Sequence, residues 1–190
     1  GWFTLPLTVP NYLAGFVGKP VLPLDAPEVS AAIERVQKRT DALLNCGGTH
    51  RPEWFHRKLG DILYEGCGVA RDEAGLLDAL TKARELREEF WRDVKVVGTG
   101  NRLNQELEKA GRVADFIELG EVMILDALDR RESAGAHFRN EYATEAGEAK
   151  RNDDDWCAVS AWETRPDGTK VRHSEPLSFS LIDLQVRDYR

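Results

Sequence analysis

The sequence predicts a mainly α-helical chain: an antiparallel bundle of three or four helices with an irregular C-terminal β-hairpin extension. Three observations predict it. Between about residues 25 and 131, apolar residues recur at three- and four-residue steps, the period of a helix with one buried face. The breaks between these runs are short and marked by glycine or proline, and short connections imply antiparallel neighbours. Beyond about residue 140 the period is lost, and two short segments flank Arg165-Pro166-Asp167-Gly168, the residues of a tight turn. The expected organisation is a connector over 1–24, a helical bundle over 25–139, and a polar loop, hairpin and extended tail over 140–190.

The first 24 residues are rich in proline, aromatics and glycine and show no helical period, so an extended connector that packs on another surface is expected there. The first helix runs from Pro27 to Leu44. Asp25 is placed to cap it, Val29, Ile33, Val36 and Leu43 lie near one face, and Cys46-Gly47-Gly48 ends it. A second helix follows from Pro52 to about Glu65, with Trp54, Phe55, Leu59 and Ile62 on its apolar side and Gly66 as its stop. Asp72 is a good N-cap for a third, reaching roughly Val96, in which Leu76, Leu80, Ala83, Leu86 and Phe90 repeat. Gly98-Thr99-Gly100 breaks the pattern. The fourth begins near Leu103 or Asn104 and continues to about Arg131, its stripe including Leu107, Ala114, Ile117, Ile124 and Leu128. Segments 156–163 and 170–173 form the hairpin, and Phe179 to Tyr189 is a candidate for a further strand.

Composition excludes several function classes. Acidic residues outnumber basic ones, 33 to 26, for a net charge of −7. The basic residues are interspersed with acids, so no face is suited to a nucleic-acid backbone. No stretch approaches the roughly 18–20 apolar residues needed to span a bilayer, so direct membrane insertion is not expected. The apolar opening is interrupted by Pro6, Pro10, Asn11 and Gly15 and lacks a basic leader region, so it reads as a chain entered in the middle rather than a signal peptide. The cysteines, Cys46, Cys67 and Cys157, are odd in number and widely spaced, which suits a reducing compartment, by default the cytoplasm. Neither the cysteines nor the histidines have metal-ligand spacing.

Candidate chemistry is sparse. Gly98-Thr99-Gly100 lacks the third glycine of a dinucleotide loop and follows a helix rather than a strand, so an interhelical turn is the expected reading. Charged and small residues concentrate in one place, Arg130 to Arg139. One reading is a helix C-terminus with basic residues against the dipole and a glycine stop. The other is a contact surface, with Arg131, Glu132, His137 and Arg139 as its candidates. Ser133 and His137 have no evident third partner to complete a nucleophilic site.

The run Leu125 to Arg139, containing Arg130-Arg131-Glu132-Ser133-Ala134-Gly135-Ala136-His137-Phe138-Arg139, resembles the A-x-x-R-x-E-S-R-G-A-H-x-R segment of succinate dehydrogenase and fumarate reductase flavoproteins. Arg151-Asn152-Asp153-Asp154-Asp155-Trp156 is similar to that family's R-D-D-x-N-W stretch. Gly68-Val69-Ala70-Arg71, Asn104 with Glu118-Leu119, and the opening Gly1 to Pro6 resemble further family segments in the same order. Ala134 departs from the pattern, standing where many members have arginine. The resemblance implies the C-terminal helical domain of a larger flavoprotein, whose earlier domains hold FAD and the dicarboxylate. It implies no catalytic, cofactor-binding or metal residue in this fragment. Arg131, Glu132, His137 and Arg139 are then candidates for an interdomain or subunit seam. The implied partners are the flavin-binding and capping domains and an iron–sulfur subunit, and the implied location is the inner face of the cytoplasmic membrane, held there peripherally through the parent complex. The C-terminal domain of L-aspartate oxidase and a freestanding helical adaptor are the alternatives.

Overall fold

The computed structural model describes Trp2 and residues 4–185. The chain divides into two compact units, Gly1–Asp41 and Ala42–Arg190. The division falls inside a helix, away from the expected boundary at residue 24.

The first unit holds α1 (Leu5–Ala14) and most of α2 (Pro27–Asn45). Helix α1 corrects the expectation of an extended connector. Pro6 lies in its first turn, where a missing N–H costs nothing, although Pro10 sits in the interior. Periodicity detects contrast between faces, and LPLTVPNYLA is apolar on nearly every side, so there was no contrast to detect. None of the α1 residues is buried. In α2 the anticipated stripe is only partly used: Ile33 and Val36 are exposed, whereas Leu43 is buried in the second unit's core.

In the second unit, α3 (Pro52–Gly66), α4 (Glu73–Asp93) and α5 (Gln105–Asp129) pack against one another pairwise. Apolar residues at helical spacing meet in two clusters. One contains Phe55, Leu59, Leu86, Phe90, Val113 and Ile117; the other contains Leu76, Leu80, Ala83 and Ile124. Phe55 and Phe90 meet edge to face at 5.2 Å. Helix starts follow their caps: Asp72 accepts from the Gly75 amide, and Asn104 from those of Glu106 and Leu107. The Asn104 side chain also donates to the Val97 and Thr99 carbonyls, so it builds the Gly98–Gly100 turn as well as the helix start.

Helix α4 ends at Asp93, three residues short of the expected Val96. The reason is a clasp with the segment before α3. Gly48 and His50 donate their amides to the Val94 and Asp93 carbonyls, and Lys95 donates to the His50 carbonyl. Asp93 accepts from the Thr49 amide at 2.8 Å and lies 2.5 Å from His50 Nδ1. The His50 contact, with Thr49 second, holds the Asp93 carboxyl down at about 2. His50 in turn stacks on Trp54, with ring centroids 3.9 Å apart.

Two short pairings complete the unit. Strand β1 (Ala70–Arg71) runs parallel to β2 (Phe138–Arg139), with Ala70 opposite Phe138 and Arg71 opposite Arg139. After a 3₁₀ turn (Asn140–Tyr142) and the short α6 (Asp153–Trp156), β3 (Ala158–Thr164) pairs antiparallel with β4 (Lys170–Pro176) around a turn in which Gly168 has φ +85°. The hairpin is tied to α5: Trp162 Nε1 donates to Asp126 at 2.8 Å, and Arg172 pairs with Asp129 at 3.1 Å. No strand forms over residues 177–185, and the rest of the expected Phe179–Tyr189 strand lies outside the described residues. Among the described residues no helix is long and apolar enough to cross a membrane.

Candidate functional site

The charged segment after α5 folds back on the helix that it follows. Arg130 is the C-cap of α5, and Gly135, at φ +59°, lets the chain reverse so that Ala134 and His137 exchange backbone hydrogen bonds. Strand β2 then lies beside β1, which brings residues 67–71 and 126–139 together.

Each of the four candidate residues has a definite place. Glu132, 2% exposed, accepts from Arg130 through Oε1, with contacts of 2.5 and 2.8 Å, and from the Asn152 amide through Oε2 at 2.8 Å. Arg139, also 2% exposed, donates to the Ala127 and Leu128 carbonyls at 2.9 and 3.1 Å, and its Nε lies 3.1 Å from Glu141. A guanidinium there satisfies carbonyls that the last turn of α5 leaves without partners and complements the negative end of its dipole. Arg131 is exposed and lines a surface hollow that Glu73, Asp129 and Tyr142 also line. His137 is half-buried: Nε2 lies 3.1 Å from the Arg130 carbonyl and Nδ1 lies 3.3 Å from Arg71. A carbonyl only accepts and a guanidinium only donates, so the ring is neutral, with its proton on Nε2.

Ser133 is buried and fully occupied, donating to the Arg139 carbonyl and accepting from the Arg139 amide. With Ser133 so held and both His137 nitrogens engaged, the two form no nucleophile–base pair. Among the described residues no cluster of His, Cys, Asp and Glu could hold a metal ion.

A cavity of about 350 Å³ opens beside His137, lined by Cys67, Arg71, Met123, Asp126, Arg130 and Ala134 among others. Burial pushes the Cys67 thiol up. Arg71 and Asp126 were not foreseen as members of this site. Arg71 comes from a two-residue strand too short to leave a sequence pattern, whereas Asp126 precedes Arg130 by one helical turn, a spacing that could have identified it. A second charged cluster was also missed: buried Glu121 on α5 accepts from Arg84 at 2.9 Å and from Arg87, both on α4.

The state of His137 has a pH signature. Burial lowers its pKa from 6.5, opposed by the Arg130 carbonyl and assisted by the charges of Arg71, Arg130 and Arg139. Cys67, Asp126, Arg71 and Arg130 are the other ionisable groups lining the adjoining cavity. The unfolded chain therefore takes up this proton before the folded one does. Stability is fully present above pH 6.5 and is lost as pH falls from there through the folded-state value. The melting temperature of the wild-type chain will decline over that window, and His137→Gln will flatten the decline. Equal slopes in the two chains would assign it to other groups.

The family model described as fumarate reductase flavoprotein C-term matches residues 56–189. The succinate dehydrogenase flavoprotein subunit of Bacillus subtilis is 26% identical over 84% of this chain, and the fumarate reductase flavoprotein subunit of Helicobacter pylori is 28% identical over 97%. The chain spans only about a quarter of either, 26% and 25% of their lengths. A solved quinol fumarate reductase of E. coli shares the fold, with a TM-score of 0.74 at 24% identity over 90% of this chain and 28% of its own. With a family model matched over more than half of its length, this chain belongs to the fumarate reductase flavoprotein C-terminal family.

Proposed function

We propose that the chain is the C-terminal helical domain of a succinate dehydrogenase or fumarate reductase flavoprotein subunit, structural and subunit-contacting, with no catalytic group of its own. The observation that carries this is the family match across residues 56–189, together with relatives that the chain spans for only a quarter of their length. In the parent, succinate is oxidised to fumarate and its two electrons pass through FAD to an iron–sulfur subunit and quinone, and the complex sits peripherally on the inner face of the cytoplasmic membrane. The relatives are succinate dehydrogenase and fumarate reductase subunits, which favours this reading over L-aspartate oxidase.

The described residues do not fit FAD. A dinucleotide is held where a glycine loop joins a strand of a parallel sheet to a helix. Here the parallel pairing is β1 with β2, two residues each, and the Gly98–Gly100 turn follows helix α4 and is filled by Asn104. Cofactor and substrate therefore belong to the parent's other domains.

In this reading α3, α4 and α5 run antiparallel as a bundle, and the hairpin is an appendage that enlarges its surface. Glu132 and Arg139 act from inside, fixing the loop that presents Arg131 outward to a neighbouring domain or the iron–sulfur subunit. Exposed Trp2, Tyr12 and Phe16 form an apolar surface of the kind that a flavin or capping domain covers. The same surface suits a freestanding adaptor, which the family match disfavours.

Titrating the purified chain with FAD, followed by a succinate–dye assay, tests the proposal. No flavin binding and no turnover are expected. Tight binding with succinate-dependent dye reduction would overturn it.

A further inference from the structure

We propose that the cavity between the end of α5, the β1 strand and the Arg130–His137 turn is a binding site for a single carboxylate group, held by Arg71. The charge balance around it is the starting point. Arg130 is offset by Glu132, and Arg139 by Glu141. Arg71 has no such partner: its Nε donates to the Gly68 carbonyl at 2.8 Å, its Nη1 faces His137 Nδ1, and no ion pair joins it to a carboxylate among the described residues. Both of those partners are uncharged. A half-buried guanidinium without an anion is costly, and it retains donors in a planar fork that matches a carboxylate.

The surroundings narrow the ligand. The cavity, about 350 Å³, lies within the size range of small-molecule sites. Cys67, Met123, Ala127 and Ala134 supply an apolar lining that suits a short hydrocarbon stem. Asp126 also lines the cavity, its carboxylate accepting from the Trp162 indole; its charge opposes any anion in proportion to that anion's own charge, so it weighs more against a multiply charged ligand such as phosphate than against a single carboxylate. His137 accepts from Arg71 through Nδ1 and thereby orients the guanidinium. One carboxylate on a small apolar stem meets each condition, and it comes either from a free small acid or from an acidic side chain of a neighbouring polypeptide.

NMR titration of the full chain at neutral pH separates these sources. The probes are propionate, N-acetylglutamate amide, and N-acetylglutamine amide as the uncharged control. Saturable shifts at His137 and at the Arg71 side chain with propionate identify a small-acid site. Shifts with the glutamate probe but not with propionate identify a side-chain acceptor. Arg71→Gln will weaken binding by at least about tenfold, as loss of a charge-assisted pair requires. Ala134→Leu, which narrows the cavity and leaves the Arg71 charge in place, will weaken it too, so the conclusion does not depend on one variant folding. Absence of a saturable shift with either acid up to about 100 mM, or equal binding of the glutamine control, would overturn the proposal.

Discussion

Glu132→Ala will be among the most damaging single substitutions in the second unit, lowering stability by about 3–5 kcal/mol, as breaking a buried ion pair from one side does. Both carboxylate oxygens are occupied, one by Arg130 and the other by the Asn152 amide. Alanine would leave a guanidinium that is only 29% exposed without its anion and a backbone N–H without its acceptor. At this chain length the melting temperature should fall by roughly 10 °C. Glu132→Gln, which retains an acceptor but not the charge, will fall between the two. Thermal unfolding of the three chains checks this, and a loss under about 1 kcal/mol for alanine would show that the pair contributes little. The effect should appear in this chain alone, because the groups that Glu132 holds all lie within it.

Gly48→Ala is the second large effect. A Cβ at position 48 would lie 2.0 Å from the Asp93 carbonyl carbon and oxygen, a backbone clash that no side-chain rotation relieves. The clasp would have to open, parting Gly48 from Val94 and pulling Thr49 and His50 from Asp93. The expected loss is about 3 kcal/mol, the upper part of the overpacking range. Gly60→Ala is the control. Position 60 is inside α3 with nothing within 4 Å of where a Cβ would sit, so alanine there should stabilise by about 0.5–1 kcal/mol. Similar melting temperatures for the two alanine variants would refute the clash.

These two sites differ in how far the sequence revealed them. Helices α3, α4 and α5 were legible because a charged face alternates with an apolar one, and because Asp72 and Asn104 are caps whose side chains suit the role. The glycines after α2 marked a stop but not the reason for it. Gly48 is needed for close approach to a segment far along the chain, a requirement absent from local pattern. The same long-range pairing draws Val94 and Val96 out of an apolar helical run. Helix α1 was missed for the opposite reason, being too uniformly apolar to show a period. At the candidate site, Glu132 and Arg139 were identified by clustering alone. Charged residues are usually solvated, so nothing local announced that both would be buried, one on a loop and one on the carbonyls ending α5. Arg71 was invisible as a site member because only the fold brings it beside His137.

The parallel contact of β1 with β2 carries a kinetic consequence. It joins segments separated by the whole of α4 and α5, so closing it before those helices have docked would cost the chain entropy of a long loop for a few hydrogen bonds. The order of assembly is thus constrained: helices first, seam last. Interactions formed after the rate-limiting step affect how fast the native state is lost, not how fast it is reached. Arg139, which lies in β2 itself, acts as a brake on opening, and the stability removed by substituting it should reappear almost entirely as faster unfolding.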